Sequence, residues 1–427
     1  MRRRAQTALA GLFTSGLLIA MTAAATGAGA AGGPGTLDAS FGTAGVATTI
    51  VGGPIVHDAV LQSNGDILVG GDFGVGGTAF NLARFLPNGT LDTTFGNGGF
   101  AATGFSAGVA ANGDGWLAVQ PDGKILWAGS APDPNGLTSD FAIARFNPDG
   151  TLDSGFGTGG RVTTQFFNPP MAGAQQGAAA LLVQPDGKIL VGGSARQGQI
   201  RLSPIQGALT RLNPDGSLDT SFGTGGHALI PGNSGSPIAL GITALGLDAA
   251  GDAFALPQHV EFSPAGQQDA TVTPAAITAA SHGGADAFLP SGQYVHVAFS
   301  SSPTNRKDVD GQLQRFNADG TLASASPAFD FTANESTSHE GANAVALQAN
   351  GQAVVAGAQD GVAGVARFNA DGSFDSAFGA GGRVTTANPG GSAGFIAVLV
   401  QPDGKILAAG EGNTPTQNEL FLARYLG

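Results

Sequence analysis

Apolar runs and turn residues alternate along this chain in a pattern typical of short β-strands joined by tight turns. Residues 181–194 read LLVQPDGKILVGGS, and residues 208–226 read ALTRLNPDGSLDTSFGTGG. In both segments, runs rich in apolar and β-branched residues flank Pro-Asp-Gly, in which proline fixes one turn residue and glycine supplies a positive φ. The pattern predicts two hairpins, and therefore four strands, in each unit.

This unit recurs along the chain. The first turn glycine stands at Gly65, Gly123, Gly187, Gly251, Gly292, Gly351 and Gly404, and the arginine position of the second hairpin at Arg84, Arg145, Arg211, Glu261, Arg315, Arg367 and Arg424. Both series have seven members. Successive glycines are 41 to 64 residues apart, a period that is typical of propellers or solenoids and slightly above the usual four-stranded blade. We number the units 1 to 7 in this order.

The two ends of the chain are the separated halves of one unit. The chain ends on FLARYLG, and GTLDASFG occupies residues 35–42, whereas residues 141–157 join the same two pieces in FAIARFNPDGTLDSGFG. A solenoid needs capping ends, but these ends complement each other. We therefore predict an all-β, seven-bladed β-propeller with four-stranded blades. An N-terminal strand at residues 36–41 would complete the last blade beside residues 420–425 and so close the ring.

We label the strands of a blade A to D from the axis outward. In the third unit the predicted strands are residues 180–184, 188–193, 209–213 and 217–222. The A–B and C–D turns then lie on one face of the ring, the turn face, and the B–C and D–A connections on the other, the loop face. The loop-face connections vary widely in length, and variable loops on a rigid scaffold commonly carry binding sites.

Two repeated side chains are expected to be structural. A phenylalanine followed by glycine, expected to fill the gap between blades, stands at Phe95, Phe156, Phe222 and Phe378. The repeated arginine is predicted to pair with an aspartate in Arg84–Asp92, Arg145–Asp153, Arg211–Asp219 and Arg367–Asp375, with Arg424–Asp38 joining the two ends. Glu261 and Ala323 break this pattern.

The first 30 residues are typical of a secretory signal peptide. Arg2 to Arg4 precede an apolar stretch at residues 8–21, and Ala28-Gly29-Ala30 forms an A-x-A cleavage site. We predict a signal peptide at residues 1–30 and a single propeller domain at 31–427, secreted or on the cell surface, with no membrane span in the mature chain. A membrane anchor is the alternative, and the arginines leave Sec and twin-arginine export open.

Composition narrows the classes of partner. The chain has no cysteine, so its stability must come from burial and strand pairing rather than disulfides. A net charge of −13, without a basic cluster beyond the signal peptide, argues against nucleic acid and anionic lipid surfaces. We expect a monomer.

The motifs QPDGKIL and ARFNPDGTLDSGFG resemble the delta-60 repeat family, a group of bacterial, mostly exported β-propeller repeats without an assigned biochemical function. The resemblance covers about the whole mature chain and is weakest over residues 227–345. It implies a propeller and supplies no catalytic residue. The chain is also distantly similar to NHL-type propellers.

Histidines near carboxylates suggest a metal site. His57, His282 and His339 fall in predicted D–A connections, with carboxylates beside them at Asp58, Asp286, Glu335 and Glu340. Together they could form a metal site or an acid–base cluster at the mouth of the axial channel. Polar residues also collect in loops without any function, and no ligand-spacing motif accompanies these histidines. Residues 133–136 and 308–311 are similar to parts of calcium loops, which makes calcium a candidate cofactor and turn formation the alternative.

No catalytic motif is present, and no catalytic residue is predicted. The leading hypothesis is a secreted or cell-surface propeller acting as a non-catalytic binding scaffold for a protein or glycan through its loop face. The alternative is a metal-assisted hydrolase or lyase at the channel mouth near blades five and six, where the consensus is lost. Residues 227–345, where the consensus is lost, contain His259, Glu261, His282, Tyr294 and His296.

Overall fold

In the computed structural model the chain forms seven antiparallel β-sheets arranged as the blades of a ring. The innermost strands of successive blades contact each other, and the innermost strand of the last blade contacts that of the first. The structure describes residues 32–427 apart from 74–79, 106–114, 133–137, 168–173, 199–204, 231–240, 248–251, 257–259, 269–285, 290–292, 302–308, 318 and 332–339. The seven-bladed propeller is confirmed.

Strands are numbered along the chain, and each blade is given from the axis outward. Blade 1 is β2 (Ile55–Leu61), β3 (Ile67–Asp72), β4 (Phe80–Phe85), β5 (Phe100–Thr103); blade 2 is β6 (Trp116–Val119), β7 (Ile125–Pro132), β8 (Ser139–Phe146), β9 (Arg161–Thr164); blade 3 is β10 (Gln175–Val183), β11 (Ile189–Arg196), β12 (Gln206–Leu212), β13 (His227–Ile230). Blade 4 has the described strands β14 (Ala244–Leu247), β15 (Ala253–Leu256), β16 (Val260–Phe262); blade 5 is β17 (Asp286–Phe288), β18 (Tyr294–Ser301), β19 (Val309–Phe316), β20 (Leu322–Ala325). Blade 6 is β21 (Glu340–Leu347), β22 (Ala353–Gln359), β23 (Val362–Phe368), β24 (Arg383–Thr386); blade 7 is β25 (Ser392–Val400), β26 (Ile406–Asn413), β27 (Asn418–Tyr425), β1 (Val46–Val51).

The outermost strand lies later in the sequence than predicted. In blade 3 it is His227–Ile230, and the prediction of a strand at residues 217–222 was wrong. The carboxylate of Asp219 accepts hydrogen bonds from the backbone N–H and the hydroxyl of Ser221, which folds this segment into a turn. Gly223, at φ 54°, then turns the chain again before β13 begins.

Closure of the ring is confirmed, but by a different N-terminal strand. β1 pairs antiparallel with β27, from Val46 opposite Ala423 to Val51 opposite Asn418. The predicted strand at residues 36–41 forms turns instead, with one isolated bridge between Leu37 and Tyr425.

The two chain ends also rebuild the turn between strands C and D of blade 7. The Gly35 N–H donates to the Leu426 carbonyl at 2.8 Å, and the Leu426 N–H donates to the Thr36 carbonyl at 2.8 Å. In blade 1 the same two bonds, also 2.8 Å long, close the continuous turn of residues 86–90. The gap between the chain ends therefore falls within a turn whose hydrogen bonds are intact.

The repeated phenylalanine fills the space between blades, as predicted. Phe156 of blade 2 is fully buried, and its ring packs on the turn glycine Gly216 of blade 3, where a Cβ atom would lie 2.9 Å from the ring. The Gly157 N–H next to it donates to the Asp215 carbonyl of blade 3 at 2.8 Å. The turn face of each such blade is thereby fixed to the next blade.

The predicted arginine–aspartate pairs are confirmed in Arg84–Asp92, Arg145–Asp153, Arg211–Asp219, Arg367–Asp375 and Arg424–Asp38. In blade 2, Arg145 Nε donates to Asp153 Oδ2 at 2.8 Å, and Nη1 donates to the Pro214 carbonyl of blade 3. The same guanidinium lies 4.4 Å from the centre of the Phe156 ring. One side chain therefore binds its own turn, the next blade and the inter-blade phenylalanine.

Candidate functional sites

The repeated charged residues hold the ring together. Candidates for a functional role are therefore ionisable residues at positions where other blades have small or apolar ones. The described residues contain two such groups near the inner strands. One lies at the junction of blades 7 and 1, and the other lies between blades 4 and 5.

His57 is the extra residue of a β-bulge in β2. Its neighbour Val56 pairs with Gly71, and Asp58 pairs with Gly70. The same bulge occurs in three other blades, where the extra residue is Ala179, Asn343 or Ile396. The predicted position of His57 in a D–A connection was wrong, because the bulge extends strand A. A bulge points the inserted side chain in a new direction, and the alternation of apolar and polar residues in the sequence does not predict where a bulge occurs.

Asp58 takes the place of a small or apolar residue. The corresponding residues of other blades are Ala180, Ala244, Ala344, Ala397 and, in blade 2, Trp116. The Asp58 Oδ2 atom accepts the Leu117 N–H of blade 2 at 2.9 Å, and Oδ1 accepts the Ala59 N–H at 2.8 Å. Burial of the carboxyl group raises the pKa of Asp58 to about 7, although both N–H groups and His57 favour the charged form.

Asp72 and Glu411 stand at the same position near the loop-face end of strand B in blades 1 and 7. Three other blades have Ser130, Ser194 and Ala358 there. Glu411 Oε1 accepts the Val56 N–H at 2.9 Å, and burial raises the pKa of Glu411. His57 Nε2 lies 3.5 Å from Asp72 Oδ2. We call His57, Asp58, Asp72 and Glu411 the junction cluster.

The carboxyl group of Asp58 should make the ring less stable as pH rises. Its folded pKa of about 7 exceeds the unfolded value of about 3.9. Folding therefore favours the protonated form, and this stabilisation is complete below about pH 4 and lost as the pH passes about 7. The slope approaches about 1.4 kcal/mol per pH unit in this window.

Urea unfolding of the wild type and of Asp58→Asn at several pH values between about 4 and 8 measures this contribution. We expect the variant, which cannot ionise at this position, to have a flatter pH dependence. Parallel curves for the two proteins would contradict the assignment.

The predicted metal site cannot be assembled from the described residues. Within these residues no group of three or more histidine, aspartate and glutamate side chains is arranged to hold a metal ion. His282 and His339 lie outside them, as do residues 133–136 and Asp308 of the two calcium-loop fragments. A metal bound by His57, His282 and His339 stays a prediction, and so does calcium.

The second group lies on the inner strands of blade 5. His296 Nδ1 lies 2.7 Å from Asp286 Oδ1, and the side chains are only 6% and 2% exposed. The hydroxyl of Thr243, just before the first strand of blade 4, donates to Asp286 Oδ2 at 3.3 Å. We call Asp286 and His296 the inner pair. The alternative hypothesis named His296, whereas Asp286 was expected in a connection and lies in β17.

Tyr294 lies two residues before His296 on the same strand. Its ring stacks on Phe316 at 4.7 Å with an interplanar angle of 7°. Burial, and secondly the charge of Asp286, raise the pKa of Tyr294, so the phenol stays protonated. Of the residues named in the alternative hypothesis, His259 and His282 lie outside the described part of the chain. Tyr294 and His296 of the same group lie near Asp286.

Five segments of the chain match the family model described as domain of unknown function (DUF5122) beta-propeller. The matches cover residues 62–95, 120–156, 184–222, 348–378 and 401–426. They fall in blades 1, 2, 3, 6 and 7, where the repeat is clearest. A comparison with curated proteins found no match. In the described part of the chain, no helix has the length and apolar character needed to cross a membrane.

Similar solved structures include a protein of unknown function from Dyadobacter fermentans DSM 18053, 12% identical with a TM-score of 0.45, covering 90% of this chain and 100% of that chain. Polysaccharide lyase Uly1 is 12% identical with a TM-score of 0.49 and covers 94% of each chain. An α-L-arabinanase of Penicillium chrysogenum is 13% identical with a TM-score of 0.43, covering 86% and 92%. These similarities are too low to assign an activity. The resemblance to delta-60 repeats and NHL-type propellers stays a prediction. The matched segments are similar to a β-propeller family of unknown function.

Proposed function

We propose that this chain is a secreted or cell-surface propeller that binds a protein or glycan through its loop face, without catalysis at that face. The observation that carries the proposal is the junction cluster, in which the carboxyl groups of Asp58, Asp72 and Glu411 stand where other blades have small or apolar residues. The Asp72 side chain is 33% exposed, so a ligand can reach it, whereas His57 Nε2 is buried beside it.

The turn face is a poorer candidate because its charges already bind one another. The lysine of the A–B turn contacts the aspartate of the C–D turn in Lys124–Asp153, Lys188–Asp219 and Lys405–Asp38, at 3.0 to 3.2 Å. The same aspartates bind the repeated arginines. These networks explain the near-constant turn sequences as structure, which leaves the loop face for recognition.

The chemistry of the junction cluster suits ligands that donate hydrogen bonds. Carboxylate oxygens accept from hydroxyl and ammonium groups, so glycan hydroxyls and basic protein side chains both fit. Anionic ligands are disfavoured by the cluster and by the net charge of −13.

Asp72→Ala should weaken ligand binding by about tenfold, since losing a charge-assisted contact costs on the order of 1.5 kcal/mol. Asp72 is the best choice because Asp58 and Glu411 also hold backbone N–H groups. The mature protein would be screened on a glycan array and against extracellular proteins, and affinities measured for any ligand found. Asp122→Ala on the turn face is the matched control and should bind like the wild type.

Equal affinity of the Asp72 and wild-type proteins, or no ligand in either screen, would count against the proposal. Metal analysis of the purified chain, with melting in the presence and absence of a chelator, tests the metal-assisted alternative. Stoichiometric metal with a chelator-sensitive melting temperature would favour that alternative.

A further inference from the structure

The inner pair replaces an apolar pair of the repeat. At the same place on strands A and B, the facing residues in the other blades are Ala59–Val69, Leu117–Trp127, Leu181–Val191, Leu245–Ala255, Val345–Val355 and Val398–Ala408. In blade 5 they are Asp286 and His296. Burying two polar side chains where apolar ones pack well costs free energy, so packing does not explain them.

Asp286 fixes the orientation and tautomer of the imidazole. A carboxylate oxygen accepts hydrogen bonds, so His296 Nδ1 donates the 2.7 Å bond, and in the neutral imidazole Nε2 then carries the lone pair. The other carboxylate oxygen accepts from the Thr243 hydroxyl, which gives Asp286 a partner on each oxygen. His296 Nε2 is buried and has no hydrogen-bond partner among the described residues. A buried acceptor without a partner destabilises the fold.

We propose that the inner pair is an acid–base site in which His296 Nε2 takes a proton from a hydroxyl-bearing substrate. The electron pair of the broken O–H bond stays on the substrate oxygen, and the imidazolium is stabilised by the Asp286 carboxylate. His296 is the base and Asp286 is a positioning residue. The negative charge of Asp286 disfavours an anionic substrate, so the class that fits is a neutral polyhydroxylated molecule.

Tyr294 adds a hydrogen-bond donor to the same site. Its phenol is kept protonated by burial and by Asp286, and it is therefore a hydrogen-bond donor on the strand that carries the base. The inner pair is separate from the junction cluster, and its chemistry does not depend on the binding proposed there.

The first test restores the apolar pair of blade 3. We expect the double variant Asp286→Leu, His296→Val to keep the fold and to melt at a higher temperature than the wild type. The same substitutions would lower the melting temperature if the pair served only the fold, and that result would overturn the proposal. Leu181→Asp with Val191→His in blade 3 is the matched control, and it should be strongly destabilised.

The second test measures the reactivity of Nε2 in the mature protein. Diethyl pyrocarbonate acylates imidazole nitrogens with a free lone pair, and mass spectrometry reports each histidine separately. We expect His296 to react, and to react several-fold more slowly in Asp286→Asn, whose amide can donate to Nδ1 and so force the proton onto Nε2. His227, whose two ring nitrogens lie 3.0 and 3.4 Å from threonine hydroxyls, is the internal control and should react slowly in both proteins.

An unmodified His296 under conditions that acylate His57 would overturn the proposal, because it would show that no molecule from solvent reaches the buried Nε2 atom in the folded protein. Equal rates in the wild type and Asp286→Asn would also overturn it, since Asp286 would then not set the tautomer.

Discussion

Removal of residues 32–51 is expected to unfold the whole ring rather than one blade. The deletion takes away β1, which pairs with β27 along its whole length, and Asp38, which binds Arg424 Nε at 2.9 Å. It also removes Phe41 from the core between blades 7 and 1. The open sheet edge and the buried arginine without its partner together cost more than the free energy of unfolding of a typical domain. Circular dichroism and thermal melting of the truncated chain should show no cooperative transition.

A circular permutant is the matched control for this deletion. Joining Gly427 directly to Pro34 and starting the chain at Gly52 would give Leu426-Gly427-Pro34-Gly35, equal in length to the corresponding part of the turn at residues 86–90. We expect this protein to melt within a few degrees of the wild type. A truncated chain that keeps the wild-type melt would contradict the closure argument, and a permutant that fails to fold would contradict the equivalence of the turns.

The ring could be predicted from the sequence because the repeat places equivalent residues in equivalent contacts in each blade. The complementary chain ends predicted closure, and the recurrence of Phe156 in other blades predicted its place between blades. The recurrence of Arg145 and Asp153 predicted their ion pair, but not the bond of Arg145 to the next blade. Strand D was misplaced because the pattern of apolar residues cannot distinguish a strand from a turn held by side-chain hydrogen bonds. In blade 3 the hydrogen bonds of the Asp219 carboxylate and the positive φ of Gly223 make this segment a turn.

The candidate sites were harder to predict because they depend on register rather than on composition. His296 was noticed as a departure from the repeat, but Asp286 was assigned to a connection, so their pairing was missed. Counting four residues on from the turn glycine places His296 with Val69 and Val191, which is a signal that the sequence contains. The partner of that position follows only from the antiparallel register of strands A and B. In blade 1 the bulge at His57 shifts this register by one residue for the residues before it.

The largest effect of a single substitution is expected at the repeated arginine. Arg145→Ala should destabilise the ring by about 3–5 kcal/mol, because Asp153 would keep its buried charge without its main partner. The Pro214 carbonyl of the next blade and the face of Phe156 would lose their contacts as well. Urea unfolding monitored by tryptophan fluorescence measures the change.

Lys124→Ala is the control for this substitution. Lys124 Nζ also contacts Asp153, at 3.0 Å, but the lysine side chain is 31% exposed, so its loss should cost less than about 1 kcal/mol. Replacing both partners, with Arg145→Met and Asp153→Ala, should cost less than Arg145→Ala alone because no unpaired buried charge remains. Similar effects for Arg145→Ala and Lys124→Ala would contradict the argument.

Blade 5 shows how the arginine functions when the aspartate is absent. Arg315 has Ala323 at the aspartate position, and its guanidinium donates to the backbone carbonyls of Gly351 and Asn369 in blade 6 at 2.9 and 3.1 Å. The contact with the next blade is therefore retained without the ion pair within the blade. We infer that joining neighbouring blades is the primary role of this position, and the aspartate mainly neutralises a charge that the joint requires. Arg315→Ala should then destabilise the ring less than Arg145→Ala, since it leaves no carboxylate unpaired.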